Sequence, residues 1–149
     1  MFKRILVATD GSPASDKAVE IVLKMKLQDP EVEVSILHVS EMLLKTVITP
    51  NVESSSKPIV LPDSTRMNMI REKDEILEKA RMMAEEMGVK VRLFSRIGDP
   101  ASVIIEEAEK GNYDLVVIGG EGLGRSGRIL GSVASRVVNQ FKGSTLVVR

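Results

Sequence analysis

Residues 5–13 read Ile-Leu-Val-Ala-Thr-Asp-Gly-Ser-Pro, and this stretch decides the fold. Four apolar residues in succession are typical of a parallel strand that helices cover on both faces. Asp10 and Gly11 then favour a tight turn, and Ser12 followed by Pro13 is the pattern of a helix N-cap and a first helical position. The stretch therefore predicts a strand that leads through a short loop into a helix.

The same alternation continues along the chain. Apolar runs predict further strands at 34–39, 89–94, 115–118 and 145–148, and helical periodicity predicts helices at 13 to about 27, near 63–86, from 100 to about 110 and from about 132 to about 141. The inner face of the second helix is expected to include Ile70, Ile76 and Ala80. Such alternation implies right-handed crossovers and an α/β fold with one doubly wound, five-stranded parallel sheet.

The composition excludes several classes of protein. The chain has 149 residues and no cysteine, which excludes disulfides and cysteine metal sites. Its 21 basic and 21 acidic side chains balance, so no net charge attracts it to nucleic acid or a membrane. No apolar stretch approaches the roughly 20 residues of a membrane span, and the first residues lack a signal-peptide core. We therefore expect a cytoplasmic protein that binds neither nucleic acid nor membrane.

One domain over residues 1–149 is expected, with a long loop at about 41–62. That stretch holds Pro50, Pro58, Pro62 and the run Ser54-Ser55-Ser56, and it is too long for a routine connection. A mobile surface insertion is one interpretation of this loop. A lid or an arm that contacts a partner is the other.

Two segments that follow strands are unusual. Ligands of an open parallel sheet bind outside the carboxyl ends of the strands, where the strand order reverses. One such segment is Thr9 to Ser12, and the other is 119–128, which has five glycines within 119–127. Exposed amides in a glycine loop, followed by a helix N-terminus at Gly131-Ser132, are typical of a cradle for polyphosphate. The alternative for the glycine loop is a surface loop without a ligand.

These segments resemble the universal stress protein family, and the likeness covers nearly the whole chain. It rests on residues 5–12, on Leu37-His38-Val39, on Gly98-Asp99-Pro100 and on residues 114–119, followed by Gly131-Ser132-Val133-Ala134 and the closing residues 146–149. The resemblance is to the ATP-binding branch, although the segment between Gly122 and Gly131 is one residue shorter here. It implies a Rossmann-like sheet of the adenine nucleotide alpha hydrolase type, with strand order 3-2-1-4-5.

The resemblance also implies ATP as the ligand, with or without Mg²⁺. It assigns backbone groups near adenine to Val39, and the walls of the base and sugar pocket to Ala8, Thr9 and Ile118. Asp10 would accept hydrogen bonds from ribose hydroxyls or the adenine end, and Gly119 and Gly122 would let the backbone approach the ribose and the first phosphates. Amides and a hydroxyl at a helix N-terminus would come from Gly131, Ser132 and Val133. Two of these have a plainer alternative. Asp10 could be a turn residue, and Ser132 an ordinary N-cap.

Function follows from the same resemblance. We expect an ATP-binding regulatory protein of the stress response that acts as a nucleotide-dependent switch, with little or no intrinsic hydrolysis, and docks onto a protein partner. We predict neither a catalytic residue nor a metal held by the protein. An adenylating enzyme is a weaker alternative, because the sequence shows no set of catalytic residues that would support it. The alternative is a dimeric interaction scaffold that does not bind nucleotide. In either case the apolar terminal strand Thr145–Arg149 is expected to pair two copies, and His38 is expected to be a hydrogen-bonded core residue.

Overall fold

The computed structural model describes residues 1–41, 63–121 and 129–149, and strands and helices alternate along them. The strands are β1 (Arg4–Ala8), β2 (Glu33–Ser40), β3 (Arg92–Ile97), β4 (Leu115–Gly119) and β5 (Ser144–Val148). The helices are α1 (Pro13–Gln28), α2 (Asp63–Glu86), α3 (Pro100–Lys110) and α4 (Ser132–Gln140). The expected loop at 41–62 lies outside the described residues, except for Glu41.

The strands form one five-stranded sheet in the order β3-β2-β1-β4-β5, and every neighbouring pair is parallel. This confirms the predicted fold class and strand order. Ile5 of β1 lies opposite Val34 of β2 on one side and Leu115 of β4 on the other. Because the order reverses at β1, a crevice forms where the chain leaves β1 and β4 in opposite directions.

Helices cover both faces of the sheet, and the core divides accordingly into two clusters. Successive side chains of β1 point to opposite faces, so Val7 packs with α1 and α2 while Leu6 packs with α3 and α4. Residues 5 to 9 are all buried. Each large aliphatic side chain buried in this way contributes about 1.5–3 kcal/mol. The continuous apolar run of β1 is thus explained by burial on both faces.

The first turn of α1 forms as the sequence predicts. Ser12 is the N-cap, its Oγ accepts a hydrogen bond from the Ser15 N–H at 3.3 Å, and Pro13 occupies the first turn. Asp99 caps α3 in the same way, with its carboxylate accepting from the Ser102 N–H at 3.1 Å. These two caps fix where α1 and α3 begin.

The prediction for β3 was wrong by three residues. The strand runs from Arg92 to Ile97 rather than over 89–94. Gly88 ends α2 with a positive φ of 67°, and the Val89 N–H then donates to the Ala84 carbonyl, so the chain is still leaving the helix at residue 89. Val89 and Val91 are apolar because they pack against the core from this helix exit.

The inner face of α2 is also shorter than predicted. Ala80 and Ala84 are buried, but Ile70 is 48% exposed. The N-terminal half of α2 is mostly exposed, and its Met69 and Glu72 line a cleft instead. Within the described ranges, no helix has both the length and the apolarity to cross a bilayer.

Candidate functional site

A cleft of about 580 Å³ lies at the carboxyl ends of β1, β2 and β4. This volume is within the range that small-molecule and cofactor sites occupy. The loop after β1, the end of β2, one face of α2, the start of α3, the exit of β4 and the first turn of α4 form its walls. The lining residues are Ala8, Thr9, Asp10, Ser12, Ser15, Leu37, His38, Val39, Ser40, Glu41, Met69, Glu72, Pro100, Ile104, Ile118, Gly119, Glu121, Gly131, Ser132, Val133 and Ala134.

The site residues predicted from the sequence come together here. Every one of them that the structure describes lines this cleft, namely Ala8, Thr9, Asp10, Val39, Ile118, Gly119, Gly131, Ser132 and Val133. Gly122 lies outside the described residues. Sequence reasoning missed the wall that α2 provides through Met69 and Glu72, and it placed His38 in the core without placing it at the cleft.

The loop after β1 is held by its own polar side chains. Asp10 Oδ1 accepts a hydrogen bond from the Ser12 N–H at 2.9 Å, and Thr9 Oγ1 accepts one from the Gly11 N–H at 3.3 Å. Asp10 therefore has the turn role that was the alternative for it. Because Asp10 is also exposed and lines the cleft, the turn leaves its carboxylate within reach of a ligand.

The N-terminus of α4 opens onto the cleft. Gly131 is the N-cap, not Ser132, and no side chain of the described residues caps this helix. The Gly131 N–H donates to the Gly120 carbonyl at 2.9 Å, which holds the helix start against the exit of β4. The first-turn amides and the positive end of the helix dipole therefore remain available to an anion.

Gly119 permits a close contact between α1 and β4. A Cβ atom at this position would lie 2.8 Å from the Ser15 backbone nitrogen and 2.9 Å from the Ala14 carbonyl carbon. Backbone atoms of a helix cannot move aside as a flexible side chain can. Gly119 is therefore required for packing, whatever it contributes to a ligand.

The charged side chains of the described lining are all acidic, and they are Asp10, Glu41, Glu72 and Glu121. The helix dipole of α4 attracts an anion at one end of the cleft, and the carboxylates oppose negative charge elsewhere. Within the described ranges, no group of three or more His, Asp or Glu side chains is placed to hold a metal ion.

A polar tie formed by Asp99, Ser102 and Arg136 joins α3 and α4, which both border the cleft. Asp99 Oδ2 accepts hydrogen bonds from the Ser102 hydroxyl at 2.6 Å and from Arg136 Nη1 at 2.5 Å. The bonds from Ser102, and then the one from Arg136, lower the pKa of Asp99 to about 2. Pro100 and Ile104 of α3 and the first turn of α4 line the same cleft, so this tie joins the two helices of that wall.

His38 is buried, with 6% of its surface exposed, and its Nδ1 lies 2.9 Å from the Thr9 carbonyl oxygen. This confirms the prediction of a hydrogen-bonded core histidine. The bond joins the end of β2 to the end of β1. The ring also forms part of the cleft wall.

The comparisons with known proteins agree with this architecture. The model of the universal stress protein family matches residues 1–149. The universal stress protein YxiE of Bacillus subtilis is 32% identical over 154 residues, which cover 100% of both proteins.

Two of the solved structures that share the fold hold a nucleotide. A universal stress protein from Archaeoglobus fulgidus in complex with dAMP has a TM-score of 0.69 at 17% identity, with 99% of this chain and 98% of that one covered. A universal stress protein family protein from Arabidopsis thaliana with AMP bound has a TM-score of 0.65 at 19% identity, with 98% and 90% covered.

Proposed function

This chain belongs to the universal stress protein family, and on that basis we propose that it binds an adenine nucleotide in the cleft and acts as a nucleotide-dependent switch in the stress response. The nucleotide would favour one conformation of the protein, and that conformation would dock onto a protein partner. A cytoplasmic location and a single domain over 1–149 remain predictions of the sequence.

The observation that carries this proposal is the first turn of α4. Its amides have no side-chain cap from the described residues and lie at the cleft wall, where a helix N-terminus favours phosphate. Apolar side chains of Ala8, Val39 and Ile118 line the same cleft and suit a base and sugar. A phosphate site and an apolar wall within one cleft are the two parts that nucleotide binding needs.

The structural neighbours give independent support. The Archaeoglobus fulgidus protein holds dAMP and the Arabidopsis thaliana protein holds AMP on the same fold. The adenine nucleotide class is therefore the one proposed here, and ATP is the member that the sequence resemblance favours.

Mg²⁺ would enter this site with the nucleotide. Mg²⁺ is commonly held by one or two carboxylates together with substrate phosphates and waters, and Glu121, at the exit of β4, is one carboxylate of the lining. We propose slow or no hydrolysis. Besides the metal, transfer of a γ-phosphoryl group needs a positioned nucleophile and protein cations around the phosphate, and the described lining has carboxylates but no Lys or Arg.

The test compares two variants that differ only in charge. Nucleotide released on denaturing the purified protein is identified by chromatography, and calorimetry gives the affinities for AMP, ATP and adenosine. Ser132→Asp places a carboxylate at the proposed phosphate position, where the helix dipole favours it and the fold tolerates it. We expect Ser132→Asp to bind AMP at least about tenfold more weakly than Ser132→Asn does, because both variants lose the hydroxyl but only the aspartate places a like charge against the phosphate. A wild-type protein without nucleotide and without affinity for AMP or ATP would instead favour the scaffold.

We also propose a homodimer that pairs through β5. The Val148 carbonyl accepts from the Gly120 N–H at 2.7 Å, so Val148 faces β4 and the backbone groups of Val147 face away from the sheet. At the opposite edge, Arg92 and Arg96 lie over the Phe94 ring at 4.4 and 4.9 Å, and charged side chains on an edge strand oppose pairing. The apolar β5 is therefore the edge that favours a second copy.

A further inference from the structure

Among the described residues, the second ring nitrogen of His38, Nε2, has no hydrogen-bond partner. We propose that His38 Nε2 accepts a hydrogen bond from the exocyclic amino group of a bound adenine, so that His38 selects adenine over purines that lack this donor. The proposal rests on the proposed function and assigns to one side chain the recognition of the base.

The bond to Thr9 fixes which nitrogen of His38 carries the hydrogen. A carbonyl oxygen has no hydrogen to give, so Nδ1, at 2.9 Å from the Thr9 oxygen, must be the donor. In the neutral imidazole the other nitrogen then has only a lone pair. Nε2 is therefore a hydrogen-bond acceptor.

This acceptor opens onto the cleft. Within the described ranges, no fully buried side-chain nitrogen or oxygen lacks a hydrogen-bond partner, and the bond that His38 makes to those residues uses Nδ1. Nε2 has no partner among those residues, and the ring that carries it lines the cleft. Since the residue is 6% exposed, packing and the Thr9 bond hold the acceptor in one orientation.

The position of His38 matches the base end of a nucleotide. β2 and β4 flank β1, so the end of β2 and the exit of β4 are about 10 Å apart, which is two strand spacings. A nucleotide with its phosphate on the first turn of α4 would extend its base toward β2. Leu37 and Val39, which precede and follow His38 in β2, also line the cleft, with their side chains on the other face of the sheet from the His38 ring.

A fixed acceptor in such surroundings discriminates between purines. It is satisfied by the amino group at position 6 of adenine and opposed by the oxo group that guanine and hypoxanthine carry there. A site built to bond one polar group rejects an analogue without it, because the protein group is then left unpaired.

The experiment pairs a change in the ligand with a change in the protein. Calorimetry compares AMP with purine riboside 5′-monophosphate, which has hydrogen in place of the amino group, on the wild type and on His38→Asn. The side-chain amide of asparagine can still donate to the Thr9 carbonyl, but it has no atom at the Nε2 position. We expect removal of the amino group to weaken binding roughly tenfold in the wild type and less than about twofold in His38→Asn.

A second measurement needs no variant. His38 is the only histidine of the sequence, so the ¹⁵N resonances of its ring are assigned at once. We expect the Nε2 resonance of the wild type to shift when AMP binds and to move much less with purine riboside 5′-monophosphate, while Nδ1 stays in place under both.

Three outcomes would overturn the proposal. One is an equal penalty for the missing amino group in the wild type and in His38→Asn. Another is that His38→Asn changes the loss of affinity caused by a missing 2′- or 3′-hydroxyl of the ribose, and not the loss caused by the missing amino group, which would place the ribose at His38. The third is an Nε2 resonance that AMP does not move. In each case AMP still binds and the proposed function stands, whereas a wild type that does not bind AMP would remove both.

Discussion

At the scale of single residues, one substitution separates the turn bond of Asp10 from the contact with ribose that we propose for it. Asp10→Asn keeps an Oδ1 acceptor for the Ser12 N–H, which is 2.9 Å away, but removes the charge that we expect ribose hydroxyls to contact. We predict that adenosine binds Asp10→Asn about tenfold more weakly, because hydrogen bonds to a charged acceptor are the stronger ones, while the free energy of unfolding stays within about 0.5 kcal/mol. Calorimetry and urea unfolding measure the two quantities.

Two further variants complete that test. Asp10→Ala should lose the affinity and also about 1 kcal/mol of stability, since the turn bond is lost. Asp16→Asn, which alters the ion pair with Lys79 outside the cleft lining, should leave adenosine binding unchanged. Unchanged adenosine affinity in Asp10→Asn would reduce Asp10 to its turn role.

The sequence predicts which residues line the cleft well where a strand ends, and poorly where the position of a neighbouring element decides it. Asp10 is found from sequence because it lies directly after an apolar run whose carboxyl end meets that of β4 at one edge of the sheet, and Val39, the last residue of the run 34–39, is assigned through the family resemblance. The cleft role of Glu72 depends on where α2 crosses that edge, and the need for Gly119 depends on how closely Ser15 of α1 approaches. Neither distance is encoded in local periodicity.

At the scale of secondary-structure elements, boundaries depend on the same tertiary contacts. The strands with both faces buried, such as β1 and β4, begin and end within a residue of the predicted positions. β3 is an edge strand, and its apolar pattern merges with Val89 and Val91 of the preceding helix exit. Hydrophobic patterning reports burial, and it cannot separate burial by a strand from burial by the turn before it.

The tie between α3 and α4 predicts a pH-dependent stability. The folded pKa of Asp99 is lowered to about 2 by its bonds from Ser102 and Arg136, so its contribution is present above the usual aspartate pKa and is lost as the pH falls toward 2. We predict that Asp99→Ala lowers the free energy of unfolding by about 1 kcal/mol at pH 7, as for other N-caps, and by much less at pH 2. Urea unfolding of both proteins between pH 2 and 7 measures this difference.

A variant on the other side of the tie separates the cap from the ion pair. Arg136→Met leaves the Ser102 N–H bonded to Asp99 and removes the guanidinium, which is 42% exposed. Its cost should be under about 1 kcal/mol, as for exposed ion pairs. A difference between Asp99→Ala and wild type that stays constant from pH 7 to pH 2 would contradict this account of the cap.

At the scale of the whole molecule, the two sheet edges predict how copies associate. Val147→Pro removes an N–H that faces away from β4, so it should disrupt a dimer without breaking the ladder within the sheet. Ser95→Pro is the matched control on β3, because the Gly98 N–H donates to the Ser40 carbonyl and alternate residues 97 and 95 then face outward. We predict monomers for Val147→Pro and dimers for Ser95→Pro by light scattering and sedimentation. A dimeric Val147→Pro protein would place the interface elsewhere.

The most direct test of the whole account is a crystal structure of the protein grown with millimolar AMP. We predict density for one nucleotide in the cleft, with its phosphate on the backbone amides of residues 132–134, its ribose near Asp10 and its base against Val39 and His38. A cleft that remains empty under these conditions, or AMP bound at another place on the molecule, would contradict the assignment of this cleft as the nucleotide site.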